Sequence, residues 1–90
     1  MNNYTYILRC NDNTLYTGWT NNLKKRIETH NAGKGGKYTS SRLPVNFVFI
    51  TKSNTKSLAM SLEKTIKTLT KKEKEWLINS KYNIIESMEI

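Results

Sequence analysis

What the chain lacks narrows it first. Cys10 is the only cysteine in 90 residues, so no internal disulfide can form and the four-ligand zinc patterns are excluded. A chain without a disulfide framework points to a reducing compartment. No apolar run approaches the roughly 20 residues of a membrane-spanning helix, and the start Met1-Asn2-Asn3 has neither the basic flank nor the apolar stretch of an export signal. The expectation is a cytoplasmic protein without a membrane segment. Internal repeats and interdomain linkers are missing too, and a hydrophobic fraction of 37% supports one thin core rather than two. Acidic residues are scarce: seven Asp and Glu face fifteen Lys and Arg, a formal net charge of +8. On so small a body that imbalance favours a polyanionic partner, nucleic acid first; a lysine surplus kept for solubility is the plain alternative.

What is present reads as α+β. Residues 4–8 are rich in β-favouring side chains, Asn11-Asp12-Asn13 carries turn chemistry, and residues 14–17 resume the β pattern before Gly18, which makes a hairpin. Thr20 and Asn21 offer oxygens to cap a helix that starts near Asn22, carries Leu23 and Ile27 as its apolar stripe and ends before Gly33. Residues 31–44 turn to glycine, lysine and hydroxyls with almost nothing to bury, so a mobile basic loop is expected there. Residues 45–51 read as a third, largely buried strand. Leu58, Ala59, Leu62, Ile66 and Leu69 fall on one face at helical spacing and predict an amphipathic helix covering the sheet. Thr70 and Glu73 have the spacing of a capping box that opens a short helix through Trp76, Leu77 and Ile78. On this reading residues 1–80 form the domain and residues 81–90 a C-terminal tail packed on it, with a short strand near residues 82–85.

Tyr4-Thr5-Tyr6, then Tyr16-Thr17-Gly18, then a helix carrying Arg26, then a later helix carrying Glu63 follow in an order and spacing that closely resemble the GIY-YIG nuclease module. The small stand-alone branch of that family is resembled in more detail. The run from Tyr16 to Thr20, Arg26 with His30-Asn31-Ala32-Gly33-Lys34-Gly35, Lys37-Tyr38-Thr39, Arg42-Leu43-Pro44 and Glu63 with Lys67 carry it, over residues 4–78. The resemblance implies a GIY-YIG endonuclease-like domain, a three-stranded antiparallel β-sheet flanked by helices. It also implies a metal-dependent phosphodiesterase acting on nucleic acid, DNA first, in repair or processing. Two positions depart from the motif: Tyr4 stands where the first element has glycine, and Thr17 replaces the middle isoleucine of the second. Both are backbone-strand positions outside the chemistry.

Phosphodiester hydrolysis needs a nucleophilic water, neutralised phosphate oxygens and help for the leaving oxygen, much of which a divalent ion with fixed cationic donors supplies. Glu63 is the hard oxygen ligand available to Mg²⁺, or to Mn²⁺ in its place, since such an ion keeps several waters and takes few protein carboxylates. Taken alone, Glu63 is equally an exposed helix carboxylate paired with Lys67 at i+4. Arg26 lies one turn before His30 beside the Leu23 and Ile27 stripe, and both reach toward the strands bearing Tyr6 and Tyr16. A guanidinium grips a phosphate bidentately, which lysine does less well; by composition, Arg26 is also a solvated arginine among Lys24 and Lys25. The polar edges of the two helices are expected to converge on one site.

The resemblance implies that Tyr6 and Tyr16 orient or deprotonate the attacking water, helped by the metal or a cation because an unperturbed phenol titrates near about 10. Either tyrosine alone is a strand aromatic with a satisfied hydroxyl. His30, the single histidine, shares proton transfer, contacts phosphate or is structural. Lys34, Lys37 and Arg42 beside Tyr38 suit a grip on a phosphate backbone with an aromatic face for a base. The family's late asparagine ligand has no clear counterpart, although Asn79 and Asn83 are available. An endonuclease accounts for the whole set; the alternatives are a non-catalytic nucleic-acid-binding module on the same fold and an adaptor for acidic proteins.

Overall fold

Strand alternation decides which side chains meet on each face of this protein's sheet. The computed structural model describes residues 2–88. Strands β1 (Asn3–Arg9), β2 (Leu15–Thr20) and β3 (Asn46–Ser53) pair antiparallel in the order β2-β1-β3, so β1 is central and β2 lies at an edge. Among the described residues four helices accompany them: α1 (Leu23–Asn31), α2 (Lys37–Ser40), α3 (Lys56–Lys67) and α4 (Lys71–Ile78), with a 3-10 turn at Ile85–Ser87. The register sets Tyr6 opposite Gly18 and Leu8 opposite Tyr16, and a bulge interrupts the β1–β3 pairing between Ile7 and Leu8. The second strand does not stop before Gly18 as the sequence reading had it; pairing continues through Trp19 to Thr20.

Two cores form, one on each face. Tyr6, Leu8 and Ile50 turn toward α1 and pack with Leu23 and Val45, while Ile7 and Phe49 turn the other way and pack with Ile66 of α3. Asn22, not Thr20 or Asn21, caps α1: its side-chain oxygen accepts from the Lys25 backbone N–H at 3.1 Å. Thr20 instead accepts from the Asn22 backbone, bracing the cap from behind. Asn31 closes the other end, since its side-chain amide exchanges two hydrogen bonds with the Val45 backbone and ties α1 to the start of β3.

On the second face the buried stripe of α3 is narrower than its periodicity suggests. Ala59 and Ile66 are buried, Leu62 is half-buried and Leu58 is 49% exposed. The small Ala59 lets the helix approach until Thr5 donates to its carbonyl at 2.8 Å. The capping box forms as expected from Thr70 and Glu73, and Arg9 docks α4 by donating to both carboxylate oxygens of Glu75.

Two stretches differ from expectation. No strand forms at residues 82–85; Asn83 instead donates to the carbonyls of Val48 and Ile78 and accepts from the backbone of Ile50 and Ile85. One side-chain amide thus satisfies groups that a strand would have paired, and Ile84, Ile85 and Met88 cover the first core. Residues 31–44 are not simply an exposed loop, because α2 folds within them and Thr39 is fully buried. Among the described residues no helix is long and apolar enough to cross a membrane.

Candidate active site

The centre of the site is a phenol with no room on one side. Tyr6 is 1% exposed and its ring crosses the backbone of Gly18, where an added Cβ would stand 2.5 Å from the phenol oxygen. That oxygen lies 3.1 Å from Nε2 of His30, which occupies the last turn of α1 and is fully buried. The other ring nitrogen, Nδ1, is 2.9 Å from the Thr39 hydroxyl. Gly35 lies against the same ring so closely that a Cβ there would overlap Nδ1. Tyr16, half-buried, meets the His30 ring edge-on at 5.5 Å and stacks on Tyr38 at 5.8 Å and 29°. The Arg42 guanidinium lies over the Tyr38 ring at 4.1 Å, donates to the Tyr38 carbonyl and pairs with Asp12 at 3.0 Å. The segment from Gly35 to Arg42 is therefore a clamp on the aromatic residues, latched to the hairpin turn through Asp12 and through the Asn11 backbone N–H on the Arg42 carbonyl.

Burial raises the Tyr6 pKa well above the ordinary phenol value. The Arg26 guanidinium opposes the rise through its charge and by hydrogen bonding, whereas Tyr16 and the negative charge of Glu63 add to it. Burial likewise depresses the His30 pKa, and Arg26 depresses it further. Folded protein therefore keeps His30 neutral while the unfolded chain takes up a proton near about pH 6.5. Stability from this source is complete above that value and falls as the pH drops through it. Asp12, Glu73 and Glu75, all with lowered pKa values, withdraw their contribution only below the ordinary carboxylate range near about 4. The midpoint of urea unfolding is thus expected to fall between pH 7 and pH 5, and His30→Gln to flatten that interval. An equally steep fall in the variant would remove His30 as the cause.

Arg26 and Glu63 reach the phenol from different elements. Arg26 is exposed on α1 and shares a concavity of ≈ 320 Å³ with Thr20, Asn21, Asn22, Lys25 and Thr29. Glu63 comes from α3, whose Ile66 packs with Ile7 and Phe49, the residues that alternate with Tyr6 and Ile50 along their strands. The charges of Arg26 and Glu63 both act on the Tyr6 phenol. Tyr6 abuts Gly18 of the edge strand β2, a strand that α3 also contacts. The carboxylate is half-buried and pairs with Lys67 at 3.4 Å.

Lys34 and Lys37 are exposed and make no ion pair among the described residues. Arg42 and Tyr38, read from the sequence as nucleic-acid contacts, are engaged with Asp12 and Tyr16. Asn79 is spent at the C-cap of α4, donating to the Glu75 carbonyl, and Asn83 is fully used by backbone groups. The sequence reading assigned no role to Thr39, Gly35 or Asp12: Thr39 and Gly35 act on His30 only once the segment after α1 folds back on its ring, and Asp12 acts on Arg42 thirty residues away.

A sheet of this order, with paired tyrosines on its hairpin and an arginine helix against them, defines the class of a GIY-YIG domain, and the GIY-YIG catalytic domain family model matches residues 2–83. The chain belongs to the GIY-YIG family. Within it, similarity extends to UPF0213 protein CPE1444 of Clostridium perfringens, 54% identical over 79 residues that cover 88% of this chain and 85% of that one. UPF0213 protein YazA of Bacillus subtilis is 46% identical, covering 97% and 88% of the two chains. The solution structure of UPF0213 protein BH0048 from Bacillus halodurans superposes with a TM-score of 0.59 at 41% identity, over 96% of this chain and 92% of that one. EF2693 from E. faecalis gives 0.61 at 33% identity, over 100% and 92%.

Proposed function

We propose that this protein is a metal-dependent endonuclease that hydrolyses phosphodiester bonds, with DNA as its substrate. The observation that carries the reading is the single phenol, Tyr6, on which His30, Arg26 and the charge of Glu63 all act. Lys25 and Arg26 line the concavity beside it and suit a phosphate, the guanidinium neutralising charge as the bond to phosphorus forms and the leaving oxygen departs. Tyr6, held neutral by burial, serves as a fixed hydrogen-bonding group, and the more accessible Tyr16 faces the attacking water. In hydrolysis the water oxygen bonds to phosphorus as the ester bond breaks. One water proton leaves through the tyrosine–histidine cluster while the leaving oxygen gains a proton.

The donor set fits a hard ion such as Mg²⁺. Glu63 is a lone half-buried carboxylate, and the described residues hold no cluster of three metal-ligating side chains, so an ion here would draw its other ligands from water and substrate phosphate. When bound, such an ion supplies Lewis-acid polarisation of a phosphate oxygen. The pairing of Glu63 with Lys67 is the observation that favours the second reading, a binding module on the same fold that does not cut. Incubating the protein with labelled linear, flapped and branched DNA, with Mg²⁺, Mn²⁺ or a chelator, separates the two. Metal-dependent nicking supports the enzyme, and salt-sensitive binding without nicking on any DNA or RNA supports the module.

Both readings place phosphate on the unpaired lysines. Replacing Lys34 and Lys37 together with Gln is expected to reduce the log–log salt slope of DNA binding by about two, at about 0.9 per phosphate contact. Arg42→Gln is expected to change that slope little, because its charge already faces Asp12. An unchanged slope in the double lysine variant would move the binding face elsewhere.

A further inference from the structure

Trp76 and Tyr82 are the two most exposed of the large hydrophobic side chains among the described residues, at 65% and 56%. One exposed aromatic needs no explanation, but these two line a single concavity of ≈ 460 Å³ together with Lys81. Neither owes its exposure to a loose tail. Trp76 stands on α4, whose Leu77 and Ile78 pack with the core of Ile7 and Phe49 and whose Glu75 is held by Arg9. Tyr82 is fixed from the end of the same helix: the Ser80 hydroxyl donates to the Leu77 carbonyl at 2.6 Å and accepts from the Tyr82 backbone N–H at 3.2 Å. Asn83, the next residue, is pinned to Val48 and Ile50 of β3, the edge strand away from β2. A partner that covers two rings held on fixed backbone has little ordering to do.

Charge selects the partner. Lys72, one turn before Trp76, and Lys81 are exposed and make no ion pair among the described residues, and Lys81 Nζ lies over the Tyr82 ring at 5.9 Å. Of the carboxylates nearby, Glu75 is paired with Arg9, Glu73 accepts from the Thr70 backbone and Glu86 lines a neighbouring concavity. A second copy of this chain, also at +8, would set these lysines against each other. A polyanion with flat aromatic groups matches both features, since bases stack on aromatic side chains while adjacent phosphates meet the lysines. A continuous duplex keeps its base faces to itself, whereas unpaired bases are free to splay out onto such rings. We propose that Trp76 and Tyr82, flanked by Lys72 and Lys81, are a stacking platform for unpaired nucleotides, so that the protein takes DNA with a single-stranded arm in preference to continuous duplex. Because Tyr6 abuts Gly18 on β2, the platform holds part of the strand away from the bond to be cut. The cutting rests on the endonuclease reading; the platform requires only that nucleic acid binds.

Trp19 and Trp76 are the two tryptophans, so in Trp19→Phe protein the tryptophan fluorescence is that of Trp76. Labelled oligothymidylate, a blunt duplex and the same duplex with an oligothymidylate flap are titrated without metal, following anisotropy and Trp76 fluorescence. Oligothymidylate and the flap are expected to quench Trp76, and the flapped DNA to bind more tightly than the blunt one. Trp76→Ala and Tyr82→Ala are each expected to lose about fivefold to a hundredfold in affinity for oligothymidylate, the range for one stacked base. Blunt-duplex affinity and the log–log salt slope should change little, because a stacking contact releases no counterion. Trp76→Phe and Tyr82→Phe should keep most of the affinity. Replacing Lys72 and Lys81 with Gln lowers the slope instead, by about 0.7 per lysine. Unchanged oligothymidylate binding in the folded double alanine variant overturns the platform, as does tight binding that leaves Trp76 unquenched. If the alanine variants instead abolish self-association and leave oligothymidylate binding intact, the face is a contact between proteins. Wild-type protein that binds as expected and cuts nothing ends the endonuclease reading and keeps the platform. Equal cutting of flapped and blunt DNA, undiminished in the double variant, does the reverse, and no binding to any of the three overturns both.

Discussion

Arg26→Ala is expected to slow single-turnover cleavage by about a hundred- to a thousandfold, the range for removing one group that stabilises developing charge. Arg26 is exposed on α1, outside both cores, so its truncation leaves the packing intact and the loss belongs to the chemistry. Two effects combine. The concavity beside Thr20 and Lys25 loses its bidentate donor, and Tyr6 loses the cation that holds its pKa down against burial. Arg26→Lys restores a positive charge without the planar fork, so partial recovery is expected. DNA affinity should fall only modestly, because one phosphate contact among several is lost. Cleavage at a near wild-type rate by folded Arg26→Ala would remove the residue from the reaction.

Gly35→Ala should damage both stability and activity. An added Cβ would overlap the His30 ring, and that ring, fully buried between Tyr6 and Thr39, has nowhere to retreat. Overpacking of this kind costs about 1–3 kcal/mol, to which the strained His30 contacts add. Gly33→Ala supplies the comparison. Its φ of +80° makes alanine unfavourable by about 1–2 kcal/mol, yet nothing lies within 4 Å of the added carbon. Both variants are therefore expected to unfold at lower denaturant, but only Gly35→Ala should shift the Tyr6 and His30 ring resonances and abolish cleavage. Wild-type ring resonances in Gly35→Ala would contradict the clamp.

These two glycines show where the sequence is readable. Local rules located the hairpin, α1, α3 and α4, because alternation, a 3.6-residue stripe and the Thr70 and Glu73 capping box are signals within a dozen residues. Tyr6, Tyr16, Arg26, His30 and Glu63 were read as a set from motif order. Their geometry was not. Which face of the sheet α3 would cover depends on the crossover from β3, which leaves no local mark. Residues 31–44 read as loop because only Thr39 is buried by α2, and its partner lies nine residues back on α1. Arg42 and Asp12, thirty residues apart, and Arg9 and Glu75, sixty-six apart, pair only once the chain has folded. Asn83 stands in a stretch whose apolar neighbours suggest a strand, and its side chain replaces the pairing that a strand would have made.

The central claim is that Glu63, carried on α3, completes the site around Tyr6. Single-turnover cleavage of labelled branched DNA at saturating protein, with Mg²⁺, compares wild type with Glu63→Gln, which keeps the shape of the side chain and removes its charge. The account predicts metal-dependent cleavage by wild type, none above the chelator control by the folded variant, and metal-free DNA affinity that holds or rises in the variant because a negative charge is gone. Undiminished metal-dependent cleavage by Glu63→Gln would contradict it.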